Sequence, residues 1–362
     1  MNQWPSWLPL RPDLRELSAY GAPQLPADAI MNTNENPYAP SKALAKAIAN
    51  RIAQVALRLN RYPDRDAVEL RGKLAQFIND QSGTQLQVEN IWAANGSNEI
   101  IQSLFMAFGS GVALGFTPSY SMHPLIAKVT QVQWINGSRR EDFTLDIDSA
   151  IAQIQRNKPV LTFITTPNNP TGSAISIMDI EKIAKATPGL LVVDEAYAEF
   201  SDEDSAVTLV KKYPHLVVIR TMSKAFAFAG ARVGYLVADS AVIRAMFLVR
   251  LPYHLSALTQ AAAEVALDFQ EELLATVASL RRDRDLVAEQ LIGMGLTVIP
   301  SASNFLLFSG FGMPSAQLWQ LLLDRGVLIR DVGLLGYLRV TIGNAAENKK
   351  FISSLSECLG EK

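Results

Sequence analysis

Cysteine is all but missing from this sequence: a single one, Cys358, stands near the end of 362 residues. An internal disulfide is thereby excluded, and a reducing compartment fits better than a secreted scaffold. Histidine is scarce too. His123, His215 and His254 lie far apart without HxxH or HExxH spacing, so each reads as structural and no metal site is expected. Charge of one sign is also lacking, since 33 Lys and Arg face 35 Asp and Glu for a net charge of −2, and nucleic acid is not an expected partner. No apolar run approaches the roughly 18 residues of a membrane span. The opening, MNQWPSWLPLRPDLREL, has neither a basic leader nor an uninterrupted apolar stretch, so a cytoplasmic protein is expected.

What is present describes a globular chain, 49% hydrophobic and 19% charged, too long for one core. Five prolines (Pro5, Pro9, Pro12, Pro23, Pro26) make residues 1–30 an extended arm. Ser41 is placed to cap a helix with apolar residues at Leu44, Ile48, Ile52 and Val55, and a second helix follows the NRYP break at 60–63. From Ile91 onward, short apolar runs (IWAA, VALGF, VQWI, VLTFIT, LLVV, LVVIR, GYLVA) mostly alternate with amphipathic helices. Continuous apolar strands separated by helices predict an α/β fold with a mostly parallel sheet covered on both faces. Two helical stretches follow Ala238, the second a long helix through QAAAEVALDFQEELLATVASLRRDRDLVAEQLIGMG. The closing segment reads as a small α+β unit. The expected division is an arm at 1–30 joining the small domain, a large domain at 31–258 and a small one at 259–362.

Polar clusters fall at the carboxyl ends of the predicted strands, where open α/β sheets bind ligands. In TMSKAFAFAGARVGY, residues 221–235, Lys224 is isolated among small and aromatic residues, with Thr221 and Ser223 before it and Arg232 eight residues on. A lysine in apolar company near a second cation is destabilised as ammonium and becomes a nucleophile for carbonyl compounds. The hydroxyls and the arginine suit a phosphate, so pyridoxal phosphate is the carbonyl compound suggested. Taken alone, the stretch also fits a lysine and an arginine capping a buried helix. NGSNE at 95–99 offers the N–H groups of Ser97 and Asn98 to an anion at a helix start, or is an ordinary cap. TTPNNPTG at 165–172 can aim Asn169 at a ligand, though plain turns have the same composition. In DEAY, Asp194 at a buried strand end needs a positive partner, either a structural cation or a pyridinium nitrogen, and Tyr197 can reach the ring oxygen. Tyr120 offers a stacking face or a core ring. Arg330 and Arg339, each after an apolar run, can grip a carboxylate or phosphate, or form surface ion pairs.

In this order GSNE, PSYSMHP, TTPNNPTG, VDEAY, TMSKAFAFAGARVGY and LRVTIG resemble the fold-type I pyridoxal-phosphate aminotransferases over nearly the whole chain. Within them, YGAPQLP, NTNENPY, LNRYPDRDAVELR, WAANGSNE and LVRLPYHLS resemble the histidinol-phosphate aminotransferase family, in its actinobacterial branch. One departure is AFGSGVALGF, whose turn before the strand is short for the family. The resemblance implies that Lys224 holds the cofactor as a Schiff base and then moves the proton. It implies phosphate contacts from Ser97, Asn98, Thr221, Ser223 and Arg232, with Tyr62 reaching the same phosphate across a dimer interface. Asn169, Asp194 and Tyr197 would bind the ring and Tyr120 would stack on it. Arg330, Arg339 and Tyr20 would hold the substrate's acidic end, and Asn34 and Tyr253 would line its pocket. The implied reaction is transamination of histidinol phosphate with 2-oxoglutarate in histidine biosynthesis by a homodimer; an aromatic amino acid aminotransferase and a phosphothreonine decarboxylase on the same scaffold are the competing readings.

Overall fold

The computed structural model describes residues 4–19 and 21–360. Along the chain run β1 (Ala29–Ile30), α1 (Lys42–Ala56), α2 (Val68–Ser82), β2 (Ile91–Ala94), α3 (Ser97–Phe108), β3 (Val112–Thr117), α4 (Met122–Val129) and β4 (Gln133–Ser138). Then come α5 (Ile147–Asn157), β5 (Leu161–Thr165), α6 (Ile177–Ala186), β6 (Leu190–Asp194), β7 (Leu216–Thr221), β8 (Gly234–Val237), α7 (Ser240–Val249) and α8 (Ala257–Asp268). The last are α9 (Gln270–Gly293), β9 (Thr297–Ile299), β10 (Phe305–Ser309), α10 (Ser315–Leu323), β11 (Val327–Leu328), β12 (Tyr337–Thr341) and α11 (Ala345–Leu359).

Helix starts follow local chemistry. The side chains of Ser41, Asp146 and Ser176 accept backbone N–H groups from Leu44, Ser149 and Asp179, filling donors that the first turn leaves open. Strand burial is just as regular: every residue of β2, β5 and β7 is buried. Neighbours such as Val192 and Val193 enter two different core clusters, so helices cover the sheet on both faces.

The large sheet has the order β2-β8-β7-β6-β5-β3-β4. Its strands are parallel except β8, which runs antiparallel to both β2 and β7. GYLVA therefore departs from the parallel reading. Between β7 and β8 there is only a single 3-10 turn, at Ala229–Ala231, and no covering helix to carry the chain back for a parallel return. The carboxyl ends of β3, β5, β6 and β7 consequently converge on one edge, at Thr117, Thr165, Asp194 and Thr221.

The long helix expected after residue 260 is also corrected: it is broken at Phe269 (φ −110°, ψ 21°) into α8 and α9. Neither glycine nor proline marks the break. α8 packs on α1 and α2, whereas α9 packs on β9, β10 and α11, so one straight rod cannot serve both surfaces.

A second sheet, β12-β10-β9, is antiparallel, and β1 pairs in parallel with β11. Met31 donates its N–H to Leu328 O at 2.8 Å and accepts from Thr341 N at 2.9 Å. The segment just after the arm is thereby stitched between β11 and β12, which flank Arg330 and contain Arg339.

Candidate active site

Past Thr221 the chain leaves β7 as an irregular loop, not a buried helix. Met222, Ala225 and Phe226 are buried around Lys224, and Phe226 meets Phe77 edge-on at 5.1 Å. This packing fixes where the lysine emerges. Part of Lys224 stays open to a cavity of about 370 Å³, and its Nζ donates to Thr33 O at 2.8 Å. Shielding from water, reinforced by the charge of Arg339 and then of Arg232 against an opposing effect of Glu35, lowers its pKa to about 8. Arg232 is the more open of the two cations; it lines the same cavity from a left-handed position (φ 55°) and reaches Ser223 Oγ at 3.3 Å.

Opposite this loop lies the start of α3. Its cap residue is Gly96 (φ 81°), which has no side chain to occupy the open N–H groups of the first turn. A Cβ on Gly96 would lie 2.6 Å from Arg232 Nη2, and one on Gly234 would lie 2.6 Å from Ser97 N. Bare backbone is therefore what lets β8 and the guanidinium close on the helix start. Ser97, Asn98, Thr221, Ser223 and Arg232 all face the resulting recess. Backbone N–H groups at a positive helix end with hydroxyls and a guanidinium make an anion cradle.

Deeper in, Asp194 is 2% exposed at the end of β6. Its Oδ1 accepts Ala196 N–H at 3.2 Å, and its Oδ2 lies 3.0 Å from His123 Nε2, the ring nitrogen that donates to it. Tyr197 OH accepts from Asn34 Nδ2 at 2.8 Å and Asn169 Nδ2 at 3.4 Å. Tyr120 OH donates to Asn98 Oδ1 at 3.1 Å, and the Tyr120 ring meets His123 edge-on at 5.4 Å. In TTPNNPTG the two asparagines divide the work. Asn168 is fully buried, accepting from Ser119 Oγ at 2.8 Å and donating to Pro118 O at 3.0 Å, so its neighbour Asn169 is held facing the cavity.

The small sheet closes the opposite wall. Arg339 donates from Nη1 to Asn169 Oδ1 at 2.5 Å and from Nη2 to Asn32 O at 2.8 Å, over the Phe305 ring. Arg330 lines the cavity beside it, joined to it by a backbone bridge. Two of the sequence-expected residues lie elsewhere: Tyr62 and Tyr253 stack on each other at 4.4 Å outside the cavity lining, and Tyr62 is 80% exposed. Tyr20 lies outside the described residues.

Several contributors escaped the sequence reading. His123, which reads as structural in the sequence, is the partner of Asp194; its place three residues after Tyr120, at the start of α4, is the available signal. Thr33, whose carbonyl receives the lysine, carried no signal, because any residue has a carbonyl. Arg220 donates to Glu195 at 2.8 Å, to Glu199 at 3.0 Å and to Ser205 at 2.8 Å, a buried cluster that clamps the ends of β6 and β7.

The donor set matches pyridoxal phosphate on structural grounds: a glycine-lined anion cradle at one end, a buried carboxylate at the other, and a lysine of lowered pKa between. A family model described as aminotransferase class I and II matches residues 29–355. A protein of Corynebacterium efficiens named histidinol-phosphate aminotransferase is 55% identical over 356 residues, 98% of this chain and 95% of that one. One of the same name from Nocardia farcinica is 56% identical over 348 residues, covering 95% and 90%. A crystal structure of histidinol-phosphate aminotransferase from Sinorhizobium meliloti in complex with pyridoxal 5'-phosphate superposes with a TM-score of 0.84 over 97% of this chain and 98% of that one; at 24% identity this likeness speaks for the fold. By fold, by site and by sequence, this chain belongs to the class I and II aminotransferases, within the histidinol-phosphate aminotransferase family.

Proposed function

We propose that this aminotransferase exchanges the amino group of histidinol phosphate with 2-oxoglutarate, giving imidazole-acetol phosphate and glutamate, a step of histidine biosynthesis. One observation carries the reading: a shielded lysine amine, a buried carboxylate and three arginines line a single cavity. The substrate comes from the named relatives, which share more than half of their aligned residues with this chain.

When bound, pyridoxal phosphate supplies an aldehyde for amine exchange and a pyridinium ring that accepts the electron pair left when the substrate α-carbon loses its proton. Lys224 would anchor that aldehyde, and once displaced its Nζ would take the α-proton from the substrate and return it to the cofactor's aldehyde carbon. With a pKa near 8, a usable fraction of the amine is neutral at physiological pH. Asp194 holds its carboxylate toward a protonated ring nitrogen, and His123 positions Asp194. Tyr197 and Asn169 address the ring oxygen, and Tyr120 covers the ring face. Ser97, Asn98, Thr221, Ser223 and Arg232 hold the cofactor phosphate. Arg339 and Arg330, with Tyr20, hold the substrate's phosphate in one half-reaction and the carboxylate of glutamate in the other, so one basic pocket serves both. Asn34 lines the substrate pocket.

We further place the protein in the cytoplasm as a homodimer, with Tyr62 reaching the partner's phosphate site. Exposed Leu57, Leu59, Tyr62, Leu248, Leu251 and Tyr253 support an interface on that face. Among the described residues no helix is long and apolar enough to cross a membrane. The division into an arm at 1–30, a large domain at 31–258 and a small domain at 259–362 is part of the same proposal; it is supported by the separation of the seven-stranded sheet from the three-stranded one and by the pairing of β1 with β11.

A substrate panel on purified protein tests the reading. Histidinol phosphate with 2-oxoglutarate is expected to give the highest kcat/KM, and Lys224→Ala to abolish turnover. A kcat/KM for phenylalanine at or above that for histidinol phosphate would overturn the substrate assignment, and glutamate failing to bleach the visible absorbance of the cofactor would favour decarboxylation.

A further inference from the structure

Among the described residues two carboxylates line the cavity, Asp194 and Asp331. Asp194 is engaged by His123. Asp331 is not used by the chemistry above, yet it lines the same cavity as four cations, Lys224, Arg232, Arg330 and Arg339. Among the described residues no salt bridge joins Asp331 to Lys224, Arg232 or Arg330. A carboxylate there weakens the binding of a purely anionic ligand, because like charges repel. Its presence favours a ligand that also offers a hydrogen-bond donor.

Asp331 is held in place before any ligand arrives. Arg330 and Arg339 exchange backbone hydrogen bonds of 3.0 and 2.9 Å, which fixes the chain one residue earlier. Asp331 Oδ1 then accepts the N–H of Gly333 at 2.8 Å, and the chain turns on at that glycine in the left-handed region (φ 73°). Arg330 and Asp331 both line the cavity, so the pair offers a cation and a carboxylate to different parts of one molecule. Histidinol phosphate has such a division: an anionic phosphate at one end and an imidazole N–H at the other.

We propose that Asp331 is a specificity-determining residue whose carboxylate accepts the N–H of the substrate's imidazole ring while Arg330 and Arg339 hold its anionic end. The inference rests on the proposed substrate. A phenyl ring of similar size has no N–H to give and gains nothing from the carboxylate, so the site favours the imidazole compound by the hydrogen bond that it alone can make.

The test compares wild-type holoenzyme with Asp331→Ala and Asp331→Asn. Expected for Asp331→Ala is a roughly tenfold fall in kcat/KM for histidinol phosphate, mainly through KM, with the phenylalanine value unchanged or raised. Asp331→Asn keeps an acceptor oxygen and falls less. Inhibition of the glutamate half-reaction by imidazolepropionate and phenylpropionate gives a second readout that does not depend on which amine is the natural substrate. Asp331→Ala should weaken the imidazole compound alone, by roughly the same tenfold. Equal weakening of both inhibitors, or no change in either, overturns the inference. A wild-type enzyme that ignores histidinol phosphate overturns the substrate reading instead, while the inhibitor pair still decides about Asp331.

Discussion

Lys224 shows how an ordinary side chain acquires a chemical role from its surroundings. Free lysine would be almost wholly protonated near neutrality, whereas here burial and the neighbouring arginines bring its pKa to about 8. The same shift has a stability cost with a definite sign. The folded-state pKa lies below the unfolded one, so the cost is fully present below pH 8 and disappears as pH rises toward the ordinary lysine value. Lys224→Met should therefore raise the Tm of the cofactor-free protein by roughly 2–4 °C at pH 7, with the gain shrinking toward pH 10. Scanning calorimetry at the two pH values checks this; a gain that does not depend on pH would mean that packing, not charge, is responsible. Lys224, Asp194 and Arg339 were legible as residues because a charged side chain inside an apolar run is conspicuous. His123 was not, since its partner Asp194 is 71 positions away and only the fold brings the two within 3.0 Å.

At the scale of elements, the anion cradle proposed for the cofactor phosphate depends on atoms that are absent. Gly234 opens β8 where that strand passes the start of α3, and its missing Cβ leaves room for the backbone of Gly96 and Ser97. Gly234→Ala introduces a contact that backbone cannot relieve by rotating a side chain. Equilibrium dialysis is expected to show at least a roughly tenfold loss of pyridoxal phosphate affinity, with the far-UV circular dichroism preserved. The clamp behind β6 and β7 makes a different prediction. Arg220→Ala strands the buried carboxylates of Glu195 and Glu199 and should destabilise the protein by about 3–5 kcal/mol in urea unfolding, because uncompensated buried charge is costly. Burial already pushes the Glu199 carboxyl upward, so removing its guanidinium partner pushes it further. If Arg220→Ala unfolds at the wild-type midpoint, the cluster has no such role.

Across the whole molecule, two sheets and the segment that follows the arm meet at one cavity. β1 pairs with β11, and Met31 bridges to Leu328 and Thr341, so the loop bearing Thr33 and Asn34 is positioned by the same strands that frame Arg330 and Arg339. The tyrosine pair on the outer face belongs to the assembly proposed above. Mixing Lys224→Ala subunits with Tyr62→Ala subunits tests it. Hybrid dimers would contain one intact site, made by Lys224 from one chain and Tyr62 from the other, and random reassortment should restore about a quarter of wild-type activity. Mixtures no more active than the sum of their parents would show that each site is complete within one chain.

By itself the sequence determined the layered α/β class, most helix starts and the residue types of the site, because those follow from local periodicity, capping groups and short loops at strand ends. The NGSNE, TTPNNPTG, DEAY and SKAFAFAGAR stretches were each readable, since each gathers its polar residues within a few positions. Tertiary structure alone decided that β8 runs antiparallel, that the long helix breaks at Phe269 and that Thr33 O receives Lys224. It also decided that His123 serves Asp194 and that Asp331 lines the same cavity as Arg330 and Arg339. The physical reason is common to all of them. Strand direction, helix breaks without glycine or proline, and hydrogen bonds between distant residues depend on what packs against what, and a local pattern of residue types does not encode that packing.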